Sequence, residues 1–193
     1  MDIKPSKTVK ALLDPDAILE REFEYARDSS LQANSDRAQI VNLYLILVGG
    51  VGSLLLAVAT LAPANGVQLP APVYAAALFM IGILGLFTIF KLIRLRQAWH
   101  DSVLAMNRIK DFYVLHYPEI APAFRWRTES IPPPDRVGTI SFNLSVLVAL
   151  IDSVAVGAGF FFLPVQPAGL LAGGAALAFL ALQGWLYFRL LRR

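Results

Sequence analysis

Cysteine is absent from the 193-residue chain. That excludes disulfides, thiolate metal sites, a cysteine nucleophile, and palmitoyl or prenyl anchors. Charge is scarce: Asp, Glu, Lys and Arg make up 16% of the sequence, against about 25% in ordinary soluble domains. The histidines are two, His100 and His116, and they lack the acidic pattern that suits a metal. No metal and no cofactor are expected. The glycine-rich run Gly49 to Ser53, G-G-V-G-S, lies in an apolar segment without a nearby lysine, so it cradles no phosphate. No nucleophile, base and electrophile set can be assembled, and catalysis is not expected. The basic residues are interleaved with acids, which argues against nucleic acid and suits anionic lipid headgroups.

What is abundant is apolar surface. The hydrophobic share is 56% and the mean hydropathy is +0.58. The excess is gathered in blocks of about twenty residues, the helical length that crosses a hydrocarbon core of roughly 30 Å. Four such segments stand out: 41–62, 73–90 continuing through 95, 140–163, and 168–188. The turns N-G-V-Q-L-P-A-P and P-V-Q-P separate the members of each pair, and their prolines stop the helices. The expected fold is all-α, with four spans in two hairpins. All 17 Lys and Arg residues fall in the N-terminal segment, in 91–136, or at Arg189, Arg192 and Arg193. By the positive-inside rule both termini and the central segment are cytoplasmic, in a bacterial inner (plasma) membrane.

The parts outside the spans read as helical. After a flexible start over 1–14, Asp14 suits an N-cap and Pro15 the first helical position. No Gly or Pro interrupts the sequence from there to the first span, so one helix over 15–62 is expected, about 70 Å long. The second span continues as an amphipathic helix, 73–117, with a stripe at Leu95, Trp99, Ser102, Met106, Ile109, Tyr113 and Tyr117. This stripe should pack against the N-terminal helix around Phe23, forming a cytoplasmic stalk with Trp99, Met106, Tyr113 and Phe23 as its contacts. A Pro-rich linker follows over 118–139, and its F-R-W-R (Phe124 to Arg127) suits the headgroup level. The third span is 140–163, the fourth 168–189, and 190–193 is a basic tail.

Polar and small residues inside the spans are the candidates for function. Gly49 and Ser53, and likewise Gly169 and Gly173, have the four-residue spacing that lets membrane helices approach closely, within the chain or between copies. Asn143 and Gln183 have similar depth on neighbouring helices and are expected to pair. Asp152 sits in the middle of L-V-A-L-I-D-S-V-A-V, where a charged aspartate costs roughly 2.5–3.5 kcal/mol on insertion scales. It shares a helix face with Ser141 and Ser145. Two readings are open: a neutral carboxyl serving as interhelical glue, or a ring of Asp152 side chains from several copies around a water-filled, cation-favouring axis.

The layout over Ile18 to Tyr117 has a cytoplasmic helix, a two-span hairpin, and an amphipathic helix leaving the second span. It resembles that of the SLATT class of bacterial two-span effector domains. The resemblance implies a pore-forming membrane effector, and it carries over no functional residue. The expectation is a self-associating membrane protein that passes ions or permeabilises the bilayer. A non-conducting scaffold whose stalk docks a cytoplasmic protein is one alternative, and a small proton-coupled carrier is another.

Overall fold

The computed structural model describes residues 14–61 and 69–192. The expectations for 1–13, for the first hairpin turn including Ala62, and for Arg193 lie outside these residues. The architecture is helical: α1 Pro15–Leu61, α2 Ala71–His116, α3 Ile140–Phe161 and α4 Ala168–Leu191. Among the described residues, these four helices are long and apolar enough to cross a membrane. α1 begins where the cap residue indicates. Asp14 Oδ1 accepts from the backbone N–H groups of Asp16 and Ala17 at 3.1 and 3.3 Å. α3 begins the same way, with Thr139 Oγ1 accepting from Phe142 N at 3.3 Å. Such caps satisfy donors that the first helical turn leaves open.

The chain forms two compact units. One combines 34–97 with 133–193 and contains the apolar part of every helix. Its core takes Val41 and Tyr44 from α1, Ile89, Leu92 and Ile93 from α2, Val148 and Ala149 from α3, and Tyr187 and Leu191 from α4. α3 packs along α4. α3 is the most enclosed of the four helices, whereas the apolar windows of α1 and α4 are largely exposed. Leu54, Leu56, Leu170 and Leu177 are among the side chains left open. Apolar exposure on this scale is unusual for a protein in water and ordinary for helices that face acyl chains.

The other unit combines the chain up to Ala33 with 98–132. Here the N-terminal part of α1 lies against the C-terminal part of α2. Tyr113 donates its hydroxyl to Asp16 Oδ1 at 3.0 Å, and Lys110 Nζ lies 5.9 Å from the Phe23 ring centroid. Ala26, Ser30 and Ala33 are buried on the small-residue face of α1. The linker is less extended than its prolines suggest. It forms short 3-10 turns at Pro118–Ala123 and Thr128–Ser130 and folds back on α2. There Asp111 accepts from Arg127 Nε at 2.7 Å and from Thr128 Oγ1 at 2.5 Å. Of the expected stalk contacts, Phe23 and Tyr113 line a groove between α1 and α2. Trp99 and Met106 instead line a groove whose opposite wall is the linker, at Trp126, Ile131 and Pro132.

Candidate functional site

The polar stripe of α3 falls at 141, 145 and 152, intervals that return to one face of a helix. That face is turned inward: Ser141, Ser145 and Asp152 are all buried. The two serines look after themselves in part, since Ser145 Oγ donates to Ser141 O at 2.9 Å. Ser153, one residue past the acid, does the same toward Ala149 O at 2.6 Å. Asp152 forms no such bond within its own helix, and three other helices surround it.

From α1, the Tyr44 hydroxyl donates to Asp152 Oδ1. From α2, Gly85 makes the room: a Cβ built there would overlap the Asp152 carboxyl group. From α4, the Gln183 amide comes near enough to act on the carboxyl without closing a hydrogen bond. Asp152 Oδ2, Gln183 Nε2 and Gln183 Oε1 are each buried without a partner. Asp152 is 0% exposed and Gln183 1%. Beside them a cavity of about 190 Å³ opens between α2, α3 and α4, lined by Ile89, Ser145, Ala149, Gln183 and Tyr187 among others. The result is a carboxyl group with one oxygen held and one oxygen unengaged, facing a side-chain amide. An amide offers both a carbonyl acceptor and NH₂ donors, so Gln183 is chemically able to serve either protonation state of the acid.

Two expectations are corrected here. Asn143 and Gln183 do not pair: Asn143 is exposed, while both amide atoms of Gln183 lack a partner. Asn143 is two residues from Ser141 and Ser145, which on a helix is a different face. The ring of acids contributed by several copies is also not what one chain presents, because Asp152 is enclosed by its own four helices rather than set on an outer surface. The interhelical bond of the plainer reading is present, and its donor is Tyr44.

Within the chain, the close helix contacts lie elsewhere. Nothing comes within 4 Å of a Cβ built at Gly49, Gly169 or Gly173, and Ser53 is exposed. The tight approaches use other glycines. A Cβ at Gly157 would meet Ala172 O at 2.8 Å, and one at Gly159 would meet the Phe79 ring at 2.8 Å. Gly82 faces Val156 Cγ2 at 2.5 Å by the same construction. Tyr44 and Gly85 are the functional candidates that the sequence reading passed over. The available signals were a phenol inside an apolar span and glycines at 82 and 85, three apart and so on one face of α2.

Comparison of the chain with protein-family models, curated proteins and solved structures finds no match. Among the described residues there is no group of three or more His, Asp or Glu side chains placed to hold a metal ion.

Proposed function

We propose that this is a multi-pass membrane protein that moves protons or small cations, with Asp152 as the group that binds and releases them. One observation carries the reading. Asp152 is enclosed at mid-helix, Tyr44 holds one of its oxygens, and its other oxygen and the facing Gln183 amide are both unpartnered. A carboxyl group needed only for packing would be expected to have its bonding capacity filled. Ionisable residues inside membrane helices commonly mark ion or proton routes. In this reading the route runs inside each chain, along the Ser141, Ser145 and Asp152 face of α3, and does not need a ring of copies. The same interior acid suits a proton-coupled carrier, with substrate uptake driven by the switch at Asp152.

The test is flux through proteoliposomes. Wild-type protein is expected to collapse an imposed proton or cation gradient, and Asp152→Asn to reduce the rate at least about tenfold, the factor that corresponds to roughly 1.4 kcal/mol. Equal rates for correctly folded wild type and variant would remove the proposal.

The placement follows from charge. With both termini and the central segment on the cytoplasmic side of a bacterial inner membrane, every basic residue lies on the retained face. The absence of native cysteine makes single-cysteine labelling of the two hairpin turns a direct check. Self-association is part of the proposal, supported by the open small-residue faces at Gly49 and Ser53 on α1 and at Gly169 and Gly173 on α4. The SLATT-like layout of the first hairpin is compatible with it. A second reading, a scaffold that captures a cytoplasmic protein, is favoured by the groove at Trp99 and Met106, where Trp126 remains 62% exposed. Substitution of Trp99 or Met106 would then abolish partner capture and leave flux unchanged.

A further inference from the structure

Away from Asp152, the four-helix unit holds two arginines in its interior. Arg37 of α1 is 7% exposed and Arg96 of α2 is 4% exposed. The two guanidinium groups are close enough to repel each other. Arg96 is supported by the linker, donating from Nε to Pro134 O at 3.2 Å and from Nη2 to Pro133 O at 3.5 Å. Arg37 has no such support at its Nε and Nη2, which are buried and unpartnered. The hydroxyl oxygens of Ser141 on α3 and Tyr187 on α4 are also buried and unpartnered. Tyr187 lies within reach of Ser141 and feels the charges of both arginines.

Among the described residues, no acid of the unit pairs with Arg37. The unit's side-chain carboxyl groups are Asp36, Asp135 and Asp152. Asp135 accepts from Arg192 Nε at 3.3 Å. Asp36 borders a surface pocket beside Lys91. Asp152 is engaged by Tyr44 and lies about 16 Å along α3 from Ser141, at 1.5 Å per residue. Among the described residues Arg37 forms no ion pair. A buried, uncompensated charge is strongly unfavourable, and a second like charge beside it makes the site worse. Ser141 is moreover the second residue of α3, where the helix dipole adds further positive potential.

We infer that Arg37, Arg96, Ser141 and Tyr187 form a binding site for a phosphate oxyanion. The donors come from all four helices, and arginine forks match the several acceptor oxygens of phosphate better than they match a monatomic anion. The position fits a phosphate at headgroup level. Arg37 precedes the first apolar segment by four residues and Arg96 directly follows the second, while Ser141 opens the third helix. A phospholipid headgroup and free phosphate share this chemistry. Basic pockets between membrane helices are known to take anionic headgroups.

The experiment uses the full chain in neutral detergent freed of phospholipid and in phosphate-free buffer. One arm adds phosphatidylglycerol, the other inorganic phosphate, and the unfolding temperature is read in both. At least one arm is expected to raise it for the wild type. A shift with the lipid identifies the headgroup as ligand, and a shift with phosphate identifies the free anion. Arg37→Gln is expected to abolish the shift. Tyr187→Phe, which changes no charge, is expected to raise the half-saturating concentration about tenfold, as the loss of one hydrogen bond to a charged group does. The site is refuted if neither arm shifts the wild type, or if Arg37→Gln shifts as much as the wild type. Should Arg37→Gln not fold, Tyr187→Phe decides: an unchanged half-saturating concentration refutes the site, and a raised one supports it.

Discussion

The Tyr44 hydroxyl on α1 reaches across to Oδ1 of Asp152 on α3, a bond between residues 108 positions apart in sequence. It ties one of the two least enclosed apolar helices to the most enclosed one. Because Oδ2 is left free, the bond positions the carboxyl group without exhausting it. Tyr44→Phe keeps the ring and removes the donor. We expect a loss of about 1–3 kcal/mol, the cost of stripping one partner from a buried polar group, read as a lower unfolding temperature in detergent. In a double-mutant cycle with Asp152→Leu, which removes the acceptor oxygen that Asn would keep, the two changes should be non-additive. Strict additivity would show that the bond contributes nothing.

Gly85 and Gly49 give a contrast between glycines. Gly85→Ala drives a methyl group into the Asp152 carboxyl group and is expected to destabilise by about 1–3 kcal/mol, the usual range for overpacking. Gly49→Ala meets no atom within 4 Å and should leave the stability of the single chain within about 0.5 kcal/mol. If Gly49 serves contact between copies, the same change will instead lower the yield of cross-linked oligomer. Equal stability of both alanine variants would contradict the packing described for α2.

Gln183 separates stability from activity. Its amide is buried with neither atom bonded, so replacing it with Leu removes a desolvated polar group rather than a hydrogen bond. Gln183→Leu is expected to be neutral or slightly stabilising while slowing proton or ion flux, because the facing Asp152 loses its amide. Asn143→Ala, on an exposed face, should change neither. A large loss of stability in Gln183→Leu would reveal a bond that the structure does not contain.

Acid should loosen the linker. The hydrogen bond from Thr128 is the largest influence on the Asp111 carboxyl; burial opposes it, and the hydrogen bond and charge of Arg127 with the charge of Lys110 keep the group below its ordinary value of 3.8. A group with a depressed folded value contributes stability that is fully present above the unfolded value and is lost as pH falls through the folded one. The linker contact should therefore be intact at neutral pH and released only as pH falls below the ordinary value of 3.8. Fluorescence of the neighbouring Trp126 in the Asp111→Asn variant should lack this transition. Tyr113 behaves in the opposite sense. Its bond to Asp16 raises the phenol above 10.0, so that contact persists below pH 10 and is lost as pH rises through the folded value.

Helix positions were the most legible part of the sequence, because length, hydropathy and proline stops are local properties. Asp14, Pro15 and the uninterrupted run after them pointed to one long helix over 15–62, and α1 runs Pro15–Leu61 up to the edge of the described residues. The inward polar face of α3 was legible for the same reason, since 141, 145 and 152 obey helical spacing whatever surrounds them. The identity of the partners was not. Which side chain meets Asp152 depends on the rotation of three other helices about their axes, and several rotations satisfy the same hydropathy pattern. Small residues illustrate the ambiguity. Gly49 and Gly85 look alike in sequence, and only the fold distinguishes a glycine that accommodates a carboxyl group from one with open space beside it. The pairing of Asn143 with Gln183 failed on rotation too, since similar depth does not ensure that two side chains face each other.

The arrangement around Asp152 also bears on how such a chain is made. Tyr44 and Gly85 lie on the helices that precede α3, so both are synthesised before the acid emerges. A segment carrying a mid-span carboxyl group is a poor candidate to partition alone into lipid. Here the earlier hairpin supplies a waiting donor and a notch of matching size, while Gln183 arrives only with the last helix. Biogenesis would then proceed by docking α3 onto a finished pair. Transposing the two hairpins in the gene would deprive the acid of that reception, even though every final contact remained available.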